Sequence, residues 1–153
     1  MMYLYFYLIS ISFIGYGLLA SKILDIKIPS LGIYGILGIT FISILSFISS
    51  LFINHGYSFN LAFLIFGLLL IFCFIDKIFK LKKDVIIFLL VFSILLIFIS
   101  VAKNHDDFPY YHFPYTIFLT EFSHPIGFGQ YNNGFRSPSS IFFLNSMFYL
   151  PGV

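Results

Sequence analysis

Residues 85–103 read VIIFLLVFSILLIFISVAK, and residues 85–102 of that run carry no charge. In water a helix of this composition would have no polar face to present. A bilayer needs about 20 mainly apolar residues for a helical crossing, and only helices or closed barrels satisfy their backbone there. The run is continuous rather than alternating, so a barrel strand is excluded. Three further runs have the same character, at residues 3–20, 31–53 and 61–75. The third is short unless it extends to Phe79, which would carry Asp76 and Lys77 near its end. The expected fold is therefore all-α and polytopic, with four transmembrane helices.

The whole-chain composition agrees. Hydrophobic residues make up 60% and charged residues 9% of the 153. Ordinary globular domains carry roughly 25% charged residues, so most of this surface has to face lipid. A net charge of +2 is too small for a nucleic-acid partner, and the lysines lie in short loops rather than on one face. The single cysteine, Cys73, excludes an internal disulfide. No basic residue precedes Lys22, so the first apolar run lacks the charged start of a secretory signal and reads as a retained span. Gly32, Gly35 and Gly38 recur in the second span, where small residues let another helix approach.

Lysine placement sets the orientation. The loop after the first span holds Lys22 and Lys27, and the loop after the third holds Lys77, Lys80, Lys82 and Lys83. The loop after the second, NHGYSFN at residues 54–60, holds none. With the basic loops in the cytoplasm of a cell-membrane protein, the N-terminus and residues 104–137 lie on the extracytoplasmic side. Residues 1–103 then form the four-helix region, 104–137 an external loop, and 138–153 the start of a fifth span. IFFLNSMFYLPGV begins that span at Ile141 and ends at Val153. The expectation is an N-terminal fragment of a longer protein, packed with missing C-terminal spans or another membrane subunit. A short interfacial helix is the alternative.

The external loop opens with NHDDFPYYHFPY, residues 104–115. Asp106 and Asp107 sit beside lipid, under aromatic cover. Either carboxylate could act as a general base with a raised pKa, or the pair could hold a divalent cation as cofactor; hydration of a helix end is the plain alternative. His105 and His112 flank them without matching a known metal-ligand spacing, and no metal site is assigned. Pro109 should break the helix. Pro114 should open a new one, with Ile117, Phe118 and Phe122 on its apolar face, lying in the membrane interface. The glycine-rich HPIGFGQYNNGF that follows is a loop, and it follows no strand, which excludes a dinucleotide fingerprint. Ser137 and Pro138 then read as a helix start. That start and Arg136 suit a phosphate, unless the arginine merely reaches ordinary phospholipid headgroups.

The order DDFPYYHFPYTIFLTEF, a Gly/Asn loop and FRSPSSIFFLNSMFYLP resembles the first external loop of the polytopic C-type glycosyltransferases. It also looks like the corresponding segment of a group of large bacterial membrane proteins without a settled function. The resemblance covers residues 104–151. It implies transfer of a sugar from a polyprenyl-phosphate carrier at the outer membrane face, with Asp106 or Asp107 as the essential acid. Arg136, Ser139, Tyr111 and His112 would hold carrier phosphate and substrate. Three spans before the presumed first one, and no soluble domain, depart from the enzyme pattern. The alternative is a non-catalytic transport or polysaccharide-assembly subunit, or an inactive truncated chain.

Overall fold

A computed structural model describes residues 2–101, 106–137 and 139–152. His105, Lys103 and Pro138 lie outside the described residues. Everything regular is helical, and no strand occurs among the described residues. Five helices precede the loop: α1 Met2–Ile23, α2 Leu31–Ser50, α3 Tyr57–Cys73, α4 Ile75–Lys80 and α5 Lys82–Val101. A π-helical turn at Phe108–His112 leads into α6, Phe113–Glu121. Two 3-10 turns, Phe128–Gln130 and Asn133–Phe135, precede α7, Ser140–Met147. Three of these helices are long and apolar enough to cross a membrane: Tyr3–Ile23 of α1, and all of α2 and α5. The third expected span is represented by the shorter apolar α3 and by α4, with a break at Phe74.

The chain divides into two compact units, residues 1–41 with 64–103 and residues 42–63 with 104–152. In the first, helices meet through glycine. A Cβ on Gly17 would collide with the Tyr34 carbonyl oxygen, and one on Gly38 with that of Phe13, so the α1 and α2 backbones touch directly. Gly15 of α1 and Gly67 of α3 make the same kind of approach. Of the glycine series expected to pack, only Gly38 does so, for Gly32 and Gly35 meet nothing closer than ordinary contact. Ile14, Leu18, Leu31 and Tyr34 form the buried core there, with Phe74, Ile78 and Leu81 against it. The Asp84 carboxylate accepts from the Leu31 backbone N–H at 2.8 Å, which satisfies a donor orphaned at the start of α2.

No residue of α5 is buried. It is held to α1 by rings and hydroxyls: Phe6 lies 5.3 Å from Phe92 between centroids, and Tyr3 and Tyr7 bond Ser100 and Ser93 at 2.9 and 2.8 Å. Ile97 and Phe98 remain 66% and 68% exposed, a continuous apolar surface of the kind that marks a contact with lipid or another chain.

The second unit is built on aromatic packing. Tyr115 and Leu119, one turn apart on α6, are buried with Phe135 and with Phe142 and Phe143 of α7. Tyr115 meets Phe135 edge-on at 5.2 Å and 82°, a geometry that ring quadrupoles favour. The buried residues of α6 are Tyr115, Thr116 and Leu119, a different set from Ile117, Phe118 and Phe122, the face expected to lie in the membrane interface. Phe122 is already extended and 52% exposed. The helix starts with proline in its first turn as expected, while Pro109 opens the π-helical turn rather than breaking a helix.

Candidate functional site

The π-helical turn carries Pro109 and is followed by Pro114 in the first turn of α6. Its closing bond runs from the Phe113 N–H to the Phe108 carbonyl. Pro114 has no N–H to offer the Tyr110 carbonyl four residues back, and the Asn132 amide donates to that carbonyl instead, at 3.4 Å. Turns of this type concentrate at functional sites. Tyr111, in the middle of the turn, lies directly on Gly134, where a Cβ would come within 2.6 Å of its Cβ and Cγ atoms. The NHDDFPYYHFPY motif and the loop leading to Arg136 are therefore packed together through Tyr111.

Around that contact the expected site residues separate. The Tyr111 hydroxyl donates to Asp107 Oδ2 at 3.3 Å. Loss of water, then the Asp107 charge and the hydrogen bond, push the phenol's pKa up. Asp106 is exposed and Asp107 half-buried. His112 packs on Tyr111 and on Phe142, 4.4 and 5.1 Å between centroids. Ser139 is the N-cap of α7, accepting from the Ile141 N–H at 3.4 Å, two residues beyond the expected Ser137. Among the described residues no cluster of His, Cys, Asp or Glu could hold a metal ion.

Arg136 alone of these residues lines a cavity of about 680 Å³. Its walls are mainly aromatic and aliphatic, with Phe47 from α2, Leu51 just beyond it, Tyr115, Phe128, Phe135 and Phe143, and with Gln130 as a further polar side chain. Arg136 Nε donates to the Gly129 carbonyl at 3.5 Å, and a Cβ on Gly129 would lie 3.0 Å from Arg136 Cγ. Gly127, with φ of 91°, turns the chain left-handed where an L side chain would be strained. The arrangement is a single guanidinium on an apolar chamber whose volume lies within the roughly 300–1,000 Å³ of ligand pockets.

A second cluster escaped the sequence reading. His55, from the lysine-free loop, is fully buried. Its Nε2 lies 2.8 Å from Ser49 Oγ and its Nδ1 2.6 Å from Ser146 Oγ. Both hydroxyls also reach helix carbonyls, Ser146 to Phe143 at 2.8 Å and Ser49 to Ser46 at 3.1 Å. A neutral imidazole has one N–H, so one serine must turn its proton toward the ring. The ring therefore donates to one of the two serines and accepts from the other. Burial pushes the His55 pKa down to about 4, which keeps the ring neutral at pH 7. Asn60 completes the cluster, its amide donating to the carbonyls of His55, Ser146 and Tyr149 at 2.7, 2.7 and 2.9 Å. The available signal was a histidine and two asparagines in a short loop between apolar runs. Spacing alone could not connect it to Ser146, 91 positions later.

No curated protein and no solved structure gives a significant match. The model of a family described as a domain of unknown function, DUF8201, matches residues 1–151, and by that match over nearly its whole length the chain belongs to the DUF8201 family.

Proposed function

We propose that the chain is a multi-pass cell-membrane protein that takes a polyprenyl-phosphate-linked sugar at the extracytoplasmic face, as the lipid-carrier part of a glycosyltransferase. The observation that carries this reading is the Arg136 cavity, where one guanidinium stands on aromatic and aliphatic walls. A planar double donor suits a phosphate, and the walls suit an isoprenoid chain. Four crossings, the third made by α3, put residues 54–60 and 104–137 on one side. In support, the lysine-free loop and the C-terminal region belong to one unit, joined by His55 and Ser146. The two lysine-bearing loops belong to the other, where Asp84 bonds Leu31.

In this reading Asp106 or Asp107 accepts the proton of the acceptor hydroxyl, or positions that hydroxyl through a divalent cation, and Arg136 offsets charge developing on the leaving phosphate. Neither aspartate lines the cavity, which favours a second reading: carrier binding without chemistry, in a transport or polysaccharide-assembly subunit. The test is binding of farnesyl phosphate to the full chain in nanodiscs, with Arg136→Ala expected to weaken it about tenfold or more, as loss of a charge-assisted bond does. Unchanged binding removes the carrier site. Sugar transfer from a polyprenyl-phosphate donor that survives both Asp106→Asn and Asp107→Asn removes the acid-base role and leaves the second reading.

A further inference from the structure

In the first unit a second cavity, about 280 Å³, is lined by Lys27, Ile28, Tyr34, Lys77, Lys80 and Leu81. Three chain segments supply it: the connector after α1, the first turn of α2, and α4. No carboxylate lines it. Two ammonium groups also gather at one ring beside it, Lys77 Nζ at 5.6 Å and Lys22 Nζ at 5.8 Å from the Phe74 centroid. Phe74 packs against the same core as Ile28 and Leu81. The loops concerned hold six lysines and three aspartates, and of those three Asp84 is engaged with the Leu31 N–H. Like charges brought together repel unless an anion lies among them.

The surroundings are apolar and open. Ile23, Leu24 and Ile26, in the sequence between Lys22 and Lys27, are 63%, 57% and 47% exposed, and Phe79, next to Lys80, is 70% exposed. A soluble anion needs no such company. A lipid does, because its phosphate sits at the headgroup level while apolar side chains enter the acyl region beneath it. The buried Tyr34 lines the cavity together with Ile28 and Leu81.

We propose that Lys27, Lys77 and Lys80 form a binding site for the phosphate of an anionic membrane lipid, anchored by Ile23, Leu24 and Ile26. This site involves neither Arg136 nor the aspartates, so it stands whether or not the carrier site does. Native mass spectrometry of the full chain in detergent, titrated with phosphatidylglycerol, tests it. One tightly retained lipid is expected. K27Q/K77Q/K80Q should weaken it about a hundredfold, whereas K82Q/K83Q, outside the cavity, should change it less than about threefold. The charge-preserving K27R/K77R/K80R should retain the lipid, which separates loss of charge from loss of fold. Equal weakening by the two glutamine variants would mean a diffuse basic surface and overturn the site. Equal retention of phosphatidylcholine would do the same, and full displacement by inorganic phosphate would make the ligand a soluble anion.

Discussion

The two units hold together by opposite means. In the first, α1 meets α2 and α3 backbone to backbone at Gly17, Gly38, Gly15 and Gly67, beside a hydrophobic cluster of Ile14, Leu18, Leu31 and Tyr34. In the second, a buried imidazole, an asparagine and two serines tie a loop to α7, next to a cluster of rings. A contact between backbones depends on what is missing from a residue, whereas a buried polar cluster depends on what is present. The first is broken by adding atoms and the second by removing a donor or adding a proton.

The largest effect should therefore come from filling a glycine contact. Gly38→Leu puts a side chain where the Phe13 carbonyl already stands. Because backbone cannot yield as a side-chain tip does, the loss should exceed about 3 kcal/mol, read as unfolding at lower denaturant in detergent micelles. Gly32→Leu, where the nearest neighbour is the Ser30 hydroxyl at an ordinary 3.8 Å, is the control and should change little. Similar losses in both would mean that helix propensity or hydration, not close approach, governs the unit.

Next comes the proton. His55 titrates near 6.5 when unfolded and at about 4 when folded, so between those values the unfolded chain binds more protons. Stability is then complete above pH 6.5, falls as pH drops toward 4, and levels off below. Summed over that window the loss approaches about 3 kcal/mol. Thermal unfolding at pH 7.5 and at pH 4.5 measures it, and His55→Asn should flatten the difference. Glu121 lines the cavity that His55 also borders, so Glu121→Gln is the companion variant. A pH slope that survives His55→Asn and disappears with Glu121→Gln would transfer the effect to the carboxyl.

What was legible beforehand follows the same division. Continuous apolar runs announce long helices because a lipid-facing helix needs no polar stripe, and residues 85–102 gave α5 to within a few positions. Pro114 announced the start of α6 through its missing donor. The buried side of α6 includes Thr116 beside Tyr115 and Leu119, and polarity alone does not mark a threonine as inside when its hydroxyl bonds the His112 carbonyl of its own turn. The N-cap of α7 was placed two residues early among the serines at 137, 139 and 140, where any hydroxyl would serve. Gly38 was legible as a packing residue and its partner Gly17 was not. The His55 cluster needed Ser146 brought from the far end of the chain, and no local pattern encodes that. Of the candidate site, Arg136 lines a cavity whose walls come from four separate segments, an assembly that no local pattern announces.

Asn60→Ala should cost less than the proton. The His55 carbonyl and the half-buried Tyr149 carbonyl lose a donor, while that of Ser146 keeps the Tyr149 N–H; each group left unpaired is a penalty of about 1 kcal/mol or more. Yet Asn60 Oδ1 itself is buried without a hydrogen-bond partner among the described residues, and removing it returns part of that. A net loss of about 2 kcal/mol is expected, with α7 fraying first, as read by faster amide exchange at Ser146–Tyr149. Faster exchange throughout both units would instead make Asn60 a global support.

The smallest effect discriminates most sharply what surrounds the protein. Ser93 and Ser100 each donate to a carbonyl of their own helix, Leu89 and Leu96, at 2.7 Å. The hydrogen in the bonds to Tyr7 and Tyr3 therefore comes from the tyrosines. These bonds join α1 to an α5 that has no buried residue. In water, Tyr3→Phe with Tyr7→Phe would cost almost nothing, since solvent replaces each exposed bond. In lipid no replacement exists, and interhelical bonds there average about 0.6 kcal/mol each, so the double variant should lose about 1 kcal/mol in nanodiscs. A loss of that size on the lipid-embedded chain, with none for Tyr110→Phe in the loop, would put α5 against lipid. No loss would leave its apolar surface to be covered by protein.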